Sequence, residues 1–187
     1  MTVQVILISG RSGVGKTTIA NEMHAQLNSR GIPHAHIDID NLDMVYPEES
    51  GSELLLRNLT ALVSNYYRLR GCQKFILSGT AVVLEHEAIQ RVIKDAVQKE
   101  ALEDQDRGSD VGPVEMRAFI LTAGDEVVLD RLLGREVGST LDAHLASSRR
   151  MAGVLERDVG DWGCRVPTRD RNVTDIALQI LEEASWI

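Results

Sequence analysis

The sequence has little cysteine, no long apolar run and no excess of positive charge. Its two cysteines, Cys72 and Cys164, lack the spacing of a zinc site or of a disulfide framework, so we expect both to be buried or incidental thiols. The apolar run at the N-terminus has no basic segment before it and is too short for a signal peptide or a membrane span. These shortages predict a cytoplasmic protein with no membrane partner.

The balance of charged residues further restricts the kinds of partner that we expect. The formal net charge is −8 and the isoelectric point is about 5.1. Nucleic acids and anionic membranes both bind clusters of lysine and arginine, so neither is expected as a general partner of an acidic protein. An anionic small molecule stays possible, because a local basic site can lie on an acidic protein.

The order of apolar patterns predicts the fold class. A length of 187 residues with 43% apolar residues suits one domain over residues 1–187. Short β-branched runs alternate with longer stretches of helical period, and this alternation predicts a parallel sheet. The predicted strands are 3–9, 34–39, 74–77, 115–121 and 164–166, and the predicted helices are 16–29, 53–70, 84–102, 124–135, 141–159 and 173–185. We therefore expect an α/β fold with three layers, in which about five parallel strands carry helices on both faces.

The strongest local signal is a glycine-rich motif between the first strand and the first helix. Residues 10–17 read GRSGVGKT and match G-x-x-x-x-G-K-[ST] without a gap. The glycines allow the backbone N–H groups to point at phosphate oxygens, and the helix N-terminus adds partial positive charge. Lysine and threonine at the end of the motif suit phosphate and Mg²⁺. The predicted nucleotide-binding residues here are Gly10, Ser12, Gly13, Val14, Gly15, Lys16, Thr17 and Thr18.

With this motif in its strand–loop–helix context, the chain resembles the P-loop small-molecule kinases. This group includes nucleoside and nucleotide kinases, shikimate and gluconate kinases, adenylylsulfate kinase and chloramphenicol phosphotransferase. The resemblance extends over nearly the whole chain through the order of elements, whereas sharp motifs cover only three segments. It implies the P-loop NTPase fold, ATP and Mg²⁺ as cofactors, and phosphate transfer to a small acceptor.

The second segment is His-Ile-Asp-Ile-Asp-Asn at residues 36–41, at the carboxyl end of the second predicted strand. Ligands lie at that edge of an open α/β sheet, and a period of two would direct Asp38 and Asp40 to the same side. By resemblance, Asp38 supports Mg²⁺ through water together with Thr17, and Asp40 is the general base. The alternative is a pair that caps a helix or solvates a loop. We interpret His34 and His36 as residues of the strand faces rather than as metal ligands.

Two neighbouring features distinguish the chain from known members of the group. Leu42 and Asp43 stand where adenylylsulfate kinases carry an arginine, which disfavours an adenylylsulfate acceptor. The third strand ends in Ser78-Gly79-Thr80, where many ATPases carry an acidic residue. That ending resembles the glycine-bearing strand end of shikimate kinase, so Gly79 either lines the acceptor pocket or forms a simple turn.

The third segment is Leu-Asp-Arg-Leu-Leu-Gly-Arg at residues 129–135. Kinases of this group carry R-x-x-x-R here, which implies that Arg131 stacks on the adenine and that Arg135 reaches the phosphates from a lid over residues 134–150. A spacing of four places both on one helix face. The alternative is a solvated pair that bridges to nearby acids. Arg149 and Arg150 either add charge at the phosphates or are ordinary surface residues.

The functional prediction is an ATP-dependent phosphotransferase with Lys16, Asp40 and Arg135 as its catalytic residues. The alternatives are an ATP-binding regulatory module without turnover and an NTP-hydrolysing switch, although the N-K-x-D motif of a switch is missing. The acceptor is expected to be a hydroxylated small molecule. Its binding residues are expected in the second helix, where Arg57, Tyr66, Tyr67 and Arg68 are the candidates. A homodimer is possible because many relatives dimerise, but no apolar stripe marks a dimer face.

Overall fold

The computed structural model describes residues 2–47, 51–103, 112–134 and 141–187, and of residues 141–144 only the backbone. Within these ranges strands and helices alternate along the chain. The strands are β1 (Val3–Ser9), β2 (Ala35–Asp38), β3 (Lys74–Ser78), β4 (Val114–Thr122) and β5 (Gly163–Pro167). The helices are α1 (Lys16–Ser29), α2 (Glu53–Arg70), α3 (His86–Glu103), α4 (Asp125–Leu133), α5 (Leu141–Asp158) and α6 (Val173–Glu183).

The five strands form one sheet in the order β2-β3-β1-β4-β5, and every neighbouring pair is parallel. β1 is the central strand, and its Ile6 lies opposite Ile76 on one side and Arg117 on the other. Since all strands run in one direction, their carboxyl ends meet at a single edge of the sheet, where ligands of open α/β folds bind.

Helices cover both faces of this sheet and give the protein its three layers. On one face, α2, α3 and α5 bury apolar side chains such as Leu59, Ile93 and Leu155 in one cluster with alternate residues of β1. On the other face, α1, α4 and α6 pack against alternate strand residues, with Met23, Leu132 and Ile180 fully buried or nearly so. β1 therefore has apolar partners on both faces, which explains its nearly continuous apolar sequence.

The predicted fold class is confirmed, and most element boundaries agree within two residues. The bounds of β1, α1 and α2 agree fully, and Asn172 caps α6 as expected, since its side chain accepts a hydrogen bond from the Thr174 N–H. Two boundaries were wrong in ways that matter for the site. The second strand ends at Asp38 and passes into a 3-10 turn at Ile39–Asn41, and α4 ends at Leu133.

The two cysteines differ in their surroundings. Cys72 is buried as expected, whereas Cys164 is exposed on β5, where its thiol lies 3.4 Å from a carboxylate oxygen of Glu183. Both are free cysteines. Among the helices that the structure describes, none is both long enough and apolar enough to cross a bilayer.

Candidate functional site

The loop between β1 and α1 has the backbone conformation that its glycines permit. Gly10, Gly13 and Gly15 have φ angles of 144°, 86° and 100°, which L-residues with side chains rarely adopt. A Cβ on Gly10 would lie 2.7 Å from the backbone oxygen of Leu121, so only glycine allows this close approach. Around Gly15 nothing would lie within 4 Å of such an atom, because this residue faces an open cavity. The loop therefore has the shape of a phosphate cradle, as the motif predicted.

Lys16 begins α1 and extends into the cavity with only 10% of its side chain exposed. Its ammonium nitrogen donates to the hydroxyl of Thr80 at 2.9 Å and lies 3.7 Å from Asp40 Oδ2. The ammonium group is thus held between the glycine-rich loop and the carboxylate predicted as the base.

Asp38, the last residue of β2, and Asp40, in the turn after it, have different partners. Asp38 Oδ2 accepts a hydrogen bond from the Thr17 hydroxyl at 3.1 Å, so the two residues predicted to hold Mg²⁺ lie side by side. Asp40 accepts from the backbone N–H of Thr80 at 2.7 Å through Oδ1, and from the Thr80 hydroxyl at 2.9 Å through Oδ2. Both carboxylates line the same cavity.

The prediction that strand alternation directs both carboxylates to one side is wrong. A period of two requires Asp38 and Asp40 to lie on one extended strand, but Asp40 lies in the 3-10 turn that follows β2. The turn and the two hydrogen bonds from Thr80 hold the Asp40 carboxylate at the cavity, whereas strand alternation does not.

Arg131 on α4 lies at the other end of the phosphate-binding loop. Its guanidinium donates to the backbone oxygens of Val14 at 3.1 Å and Gly13 at 3.4 Å, and to the hydroxyl and backbone oxygen of Thr168. The side chain therefore joins the loop to the segment between β5 and α6. Arg135, predicted on the same helix face, lies outside the described residues, and α4 ends before it.

Residues of α4 and α5 support the loop from behind. Arg11 is 7% exposed, and it donates to Asp125 and to the backbone oxygen of Ala123. The hydrogen bond and the charge of Arg11 lower the pKa of Asp125 below its ordinary value. Ser148 of α5 is buried and donates to the backbone oxygen of Ser12 at 3.0 Å. These contacts fix the loop between the sheet and the helices.

Residues 135–140 of the predicted lid lie outside the described residues. Its second half, residues 141–150, forms the first part of α5, and that helix contacts the loop through Ser148. Arg149 lies 3.6 Å from the carboxylate of Asp125, so its described ion pair is with this acid.

A single cavity of about 500 Å³ runs past these groups. One end is formed by Asp38, Asp40 and Thr80, and its middle by the phosphate-binding loop. The other end lies between α4 and the start of α6. The lining residues are Ser12, Gly13, Val14, Gly15, Lys16, Thr17, Thr18, Ile19, Asp38, Asp40, Asn41, Thr80, Arg131, Leu132, Thr168, Arg171, Val173 and Ile176. Of the predicted loop residues, only Gly10 does not line it.

The acceptor candidates of α2 lie elsewhere. Tyr67 is 3% exposed and belongs to the core, and Tyr66 packs against the same cluster. Arg57 pairs with Glu53 one helical turn away, and Arg68 lies 3.6 Å from Glu100. None of these four lines the cavity. Gly79 lies close to the site, since a Cβ there would be 3.2 Å from Asp40 Oδ1.

The histidines of the β2 region contact protein groups. A ring nitrogen of His34 lies 2.8 Å from one of His24, and the other lies 2.7 Å from the backbone oxygen of Ile32. His36 lies 3.0 Å from the Ser78 hydroxyl. Burial lowers the pKa of both His34 and His36. His36 lies in β2, as interpreted, whereas His34 precedes the strand, so its interpretation as a strand-face residue is wrong.

The sequence prediction assigned no site role to four polar residues that line the cavity: Asn41, Thr80, Thr168 and Arg171. The prediction for the end of the third strand considered only Gly79 and the absence of an acidic residue. It assigned no role to the hydroxyl of Thr80. Thr168 and Arg171 follow β5 at the same sheet edge as the loop. The rule that ligands bind at carboxyl ends of strands would have indicated this segment.

The model of the adenylylsulphate kinase family matches residues 2–54, which include the phosphate-binding loop and both aspartates. No curated protein sequence matches the chain. The tunicamycin resistance protein of Deinococcus radiodurans is 19% identical, with a TM-score of 0.58 over 97% of this chain and 95% of its own. A gluconokinase from Sinorhizobium meliloti is 15% identical, with a TM-score of 0.54 over 98% and 92% of the two chains.

The adenylylsulfate (APS) kinase of Mycobacterium tuberculosis, solved in complex with AMPPNP and APS, is also similar. It is 16% identical, with a TM-score of 0.54 over 96% of each chain. At these identities the similarity establishes the fold and not the substrate. The chain has the fold of the P-loop small-molecule kinases, and the predicted resemblance to that group is confirmed at this level.

Proposed function

We propose that this protein is an ATP-dependent kinase that transfers the γ-phosphate to a hydroxyl group, or a phosphate, of a small molecule. The observation that carries the proposal is the placement of Asp40. Its carboxylate lies 3.7 Å from the ammonium group of Lys16, in the same cavity as the phosphate-binding loop. A protein that only bound nucleotide would need the loop but not a second carboxylate beyond it.

The residues of the loop suit a nucleoside triphosphate. Three glycines with positive φ open the backbone toward the cavity, and the N-terminus of α1 adds partial positive charge. Lys16 would contact phosphate oxygens once its ammonium group leaves Thr80. The oxygens of Thr17 and Asp38, 3.1 Å apart, are ligands of the kind that Mg²⁺ prefers, directly or through water. A bound Mg²⁺ would neutralise charge on the phosphates.

Asp40 would act as the general base. Its carboxylate accepts the proton of the acceptor hydroxyl while the acceptor oxygen forms a bond to the γ-phosphorus. The bond from that phosphorus to the oxygen bridging the β- and γ-phosphates breaks, and ADP leaves. Catalysis would depend mainly on positioning and on neutralisation of charge by Lys16. We expect Arg135 to add charge here, as the family pattern implies, although it lies outside the described residues.

The far end of the cavity would hold the base of the nucleotide. Arg131 presents a planar guanidinium there, fixed by the backbone oxygens of the loop and by Thr168. Such a group stacks well on an aromatic ring. Val173 and Ile176 supply apolar surface beside it.

The proposal is tested by ADP release from Mg-ATP in the presence of single acceptors: nucleosides, sugars, shikimate-like acids, and aminoglycoside or phenicol antibiotics. We expect release to rise at least tenfold with one acceptor class and to yield a phosphorylated product. A slow rate that no acceptor changes would favour the NTP-hydrolysing switch. Nucleotide binding without any release would favour the regulatory module.

A further inference from the structure

Thr80 makes three hydrogen bonds at one end of the cavity. Its backbone N–H donates to Asp40 Oδ1 at 2.7 Å, and its hydroxyl lies 2.9 Å from Asp40 Oδ2 and 2.9 Å from the Lys16 nitrogen. An ammonium group can only donate and a carboxylate can only accept. The hydroxyl must therefore accept from Lys16 and donate to Asp40. One threonine thus holds both oxygens of the carboxylate.

Thr80 is itself fixed to the central strand. Its backbone oxygen accepts from the hydroxyl of Ser9, a fully buried residue at the end of β1, at 2.8 Å. The preceding residue, Gly79, donates its N–H to the backbone oxygen of Ile8 at 3.0 Å. Asp40 lacks such support, because it lies in a short 3-10 turn and its side chain is 43% exposed. The orientation of the carboxylate is therefore transmitted from β1 through Thr80.

We propose that Thr80 is the positioning residue of the reaction: it orients the Asp40 carboxylate toward the acceptor hydroxyl and provides a resting partner for Lys16. The proposal rests on the proposed function of Asp40 as the base. Two hydrogen bonds from Thr80 occupy one lone pair on each carboxylate oxygen and leave the others for the acceptor. When Lys16 moves to the phosphates, the bond from the hydroxyl to Asp40 remains.

Two variants separate the hydroxyl from the backbone contact. Thr80→Val keeps the shape and the N–H but removes the hydroxyl, whereas Thr80→Ser restores it. Thr60→Val, in α2 and away from the cavity, is the matched loss of a hydroxyl. We would measure kcat and KM for ATP with the active acceptor, the Kd for Mg-AMPPNP by calorimetry, and the thermal midpoint of each variant.

We expect Thr80→Val to lower kcat roughly 10- to 100-fold, because a misplaced catalytic group can cost about this much. The Kd for Mg-AMPPNP should stay within about twofold of the wild-type value, since no contact to the nucleotide is assigned to the Thr80 hydroxyl. Thr80→Ser should recover most of the lost kcat, and Thr60→Val should leave kcat unchanged.

Three results would overturn the proposal. They are a wild-type kcat in Thr80→Val, an equal loss in Thr80→Ser, or a loss that follows weakened nucleotide binding and a lower thermal midpoint. If the wild-type protein binds nucleotide but phosphorylates no acceptor, the proposed function fails and this inference fails with it. If the wild type transfers phosphate and Thr80→Val does so equally well, only the inference fails.

Discussion

The phosphate-binding loop and the loop after β2 lie at the same edge of the sheet, but they are built differently. The first is fixed from all sides, through the buried Arg11, through Ser148 and through Arg131. The second exposes apolar side chains: Met44 is 77% exposed and Tyr46 is 93% exposed. The first loop is thus held by its backbone conformation and by tertiary contacts, whereas Met44 and Tyr46 of the second are exposed. We expect this second loop to contact the acceptor.

This difference indicates how the two loops can vary. Every nucleoside triphosphate presents the same phosphates, so one backbone geometry serves them all. Acceptors differ in shape and polarity, and a loop with exposed side chains can change its sequence without disturbing the core. We therefore expect substitutions in the first loop to affect all substrates, and substitutions in the second to affect the acceptor alone.

The largest effect is expected for Lys16→Ala. Loss of the ammonium group removes a charge-assisted contact to the phosphates and leaves Asp40 and Thr80 without their shared cation. Transfer should fall by at least about 10³-fold, as for loss of other major groups that stabilise charge. Rates from radiolabelled ATP check this, with Lys94→Ala on the exposed face of α3 as the control. Near-normal transfer would contradict the proposal that this loop and Lys16 bind the phosphates.

A smaller effect is expected for Arg131→Ala. The variant loses the guanidinium beside the nucleotide end of the cavity and its hydrogen bonds to the loop. The KM for ATP should rise roughly tenfold, equivalent to about 1.4 kcal/mol, while kcat changes less. Arg91→Ala on α3, which is exposed and away from the cavity, is the matched control. An unchanged KM for ATP would contradict the predicted adenine-stacking role.

A still smaller and more selective effect is expected for Tyr46→Ser in the exposed loop. Because this side chain contacts solvent and not the core, thermal stability and the KM for ATP should stay unchanged. The KM for the acceptor should rise about three- to tenfold if the loop contributes apolar contact. Leu69→Ser, exposed at the far end of α2, is the control. A rise in the KM for ATP would contradict the expectation that substitutions in the second loop affect the acceptor alone.

The smallest effect is expected in the pH dependence of stability, through His36 of β2. Burial lowers the pKa of His36 from its ordinary value of 6.5, while Asp38 raises it and His24 and His34 lower it. The unfolded chain therefore takes up a proton at higher pH than the folded one. The free energy of unfolding should decrease as the pH falls below 6.5.

Urea denaturation at pH 7.5 and 5.5 measures this dependence. His36→Gln should reduce it, because glutamine keeps a polar contact to Ser78 but does not titrate. The same dependence in both proteins would show that this histidine is not responsible.

Much of the fold and about half of the site follow from the sequence. The motif at residues 10–17 imposes its own backbone, and the apolar periods of β1, α1 and α2 give their exact extent. The hydrogen bonds of Thr80 could not be derived from the sequence, because their partners lie 40 and 64 positions earlier in the chain. Tyr67 was a candidate for acceptor binding, but only the packing of α2 shows that it is buried.

The most direct test of the account compares Asp40→Asn with Asp43→Asn. Both substitutions remove one negative charge after β2, but only Asp40 lines the cavity and accepts hydrogen bonds from Thr80. We predict that Asp40→Asn lowers acceptor phosphorylation by about 10²- to 10⁴-fold with the Kd for Mg-ATP nearly unchanged, and that Asp43→Asn stays close to the wild type. Phosphorylation at a near-wild-type rate by Asp40→Asn would contradict the assignment of the base.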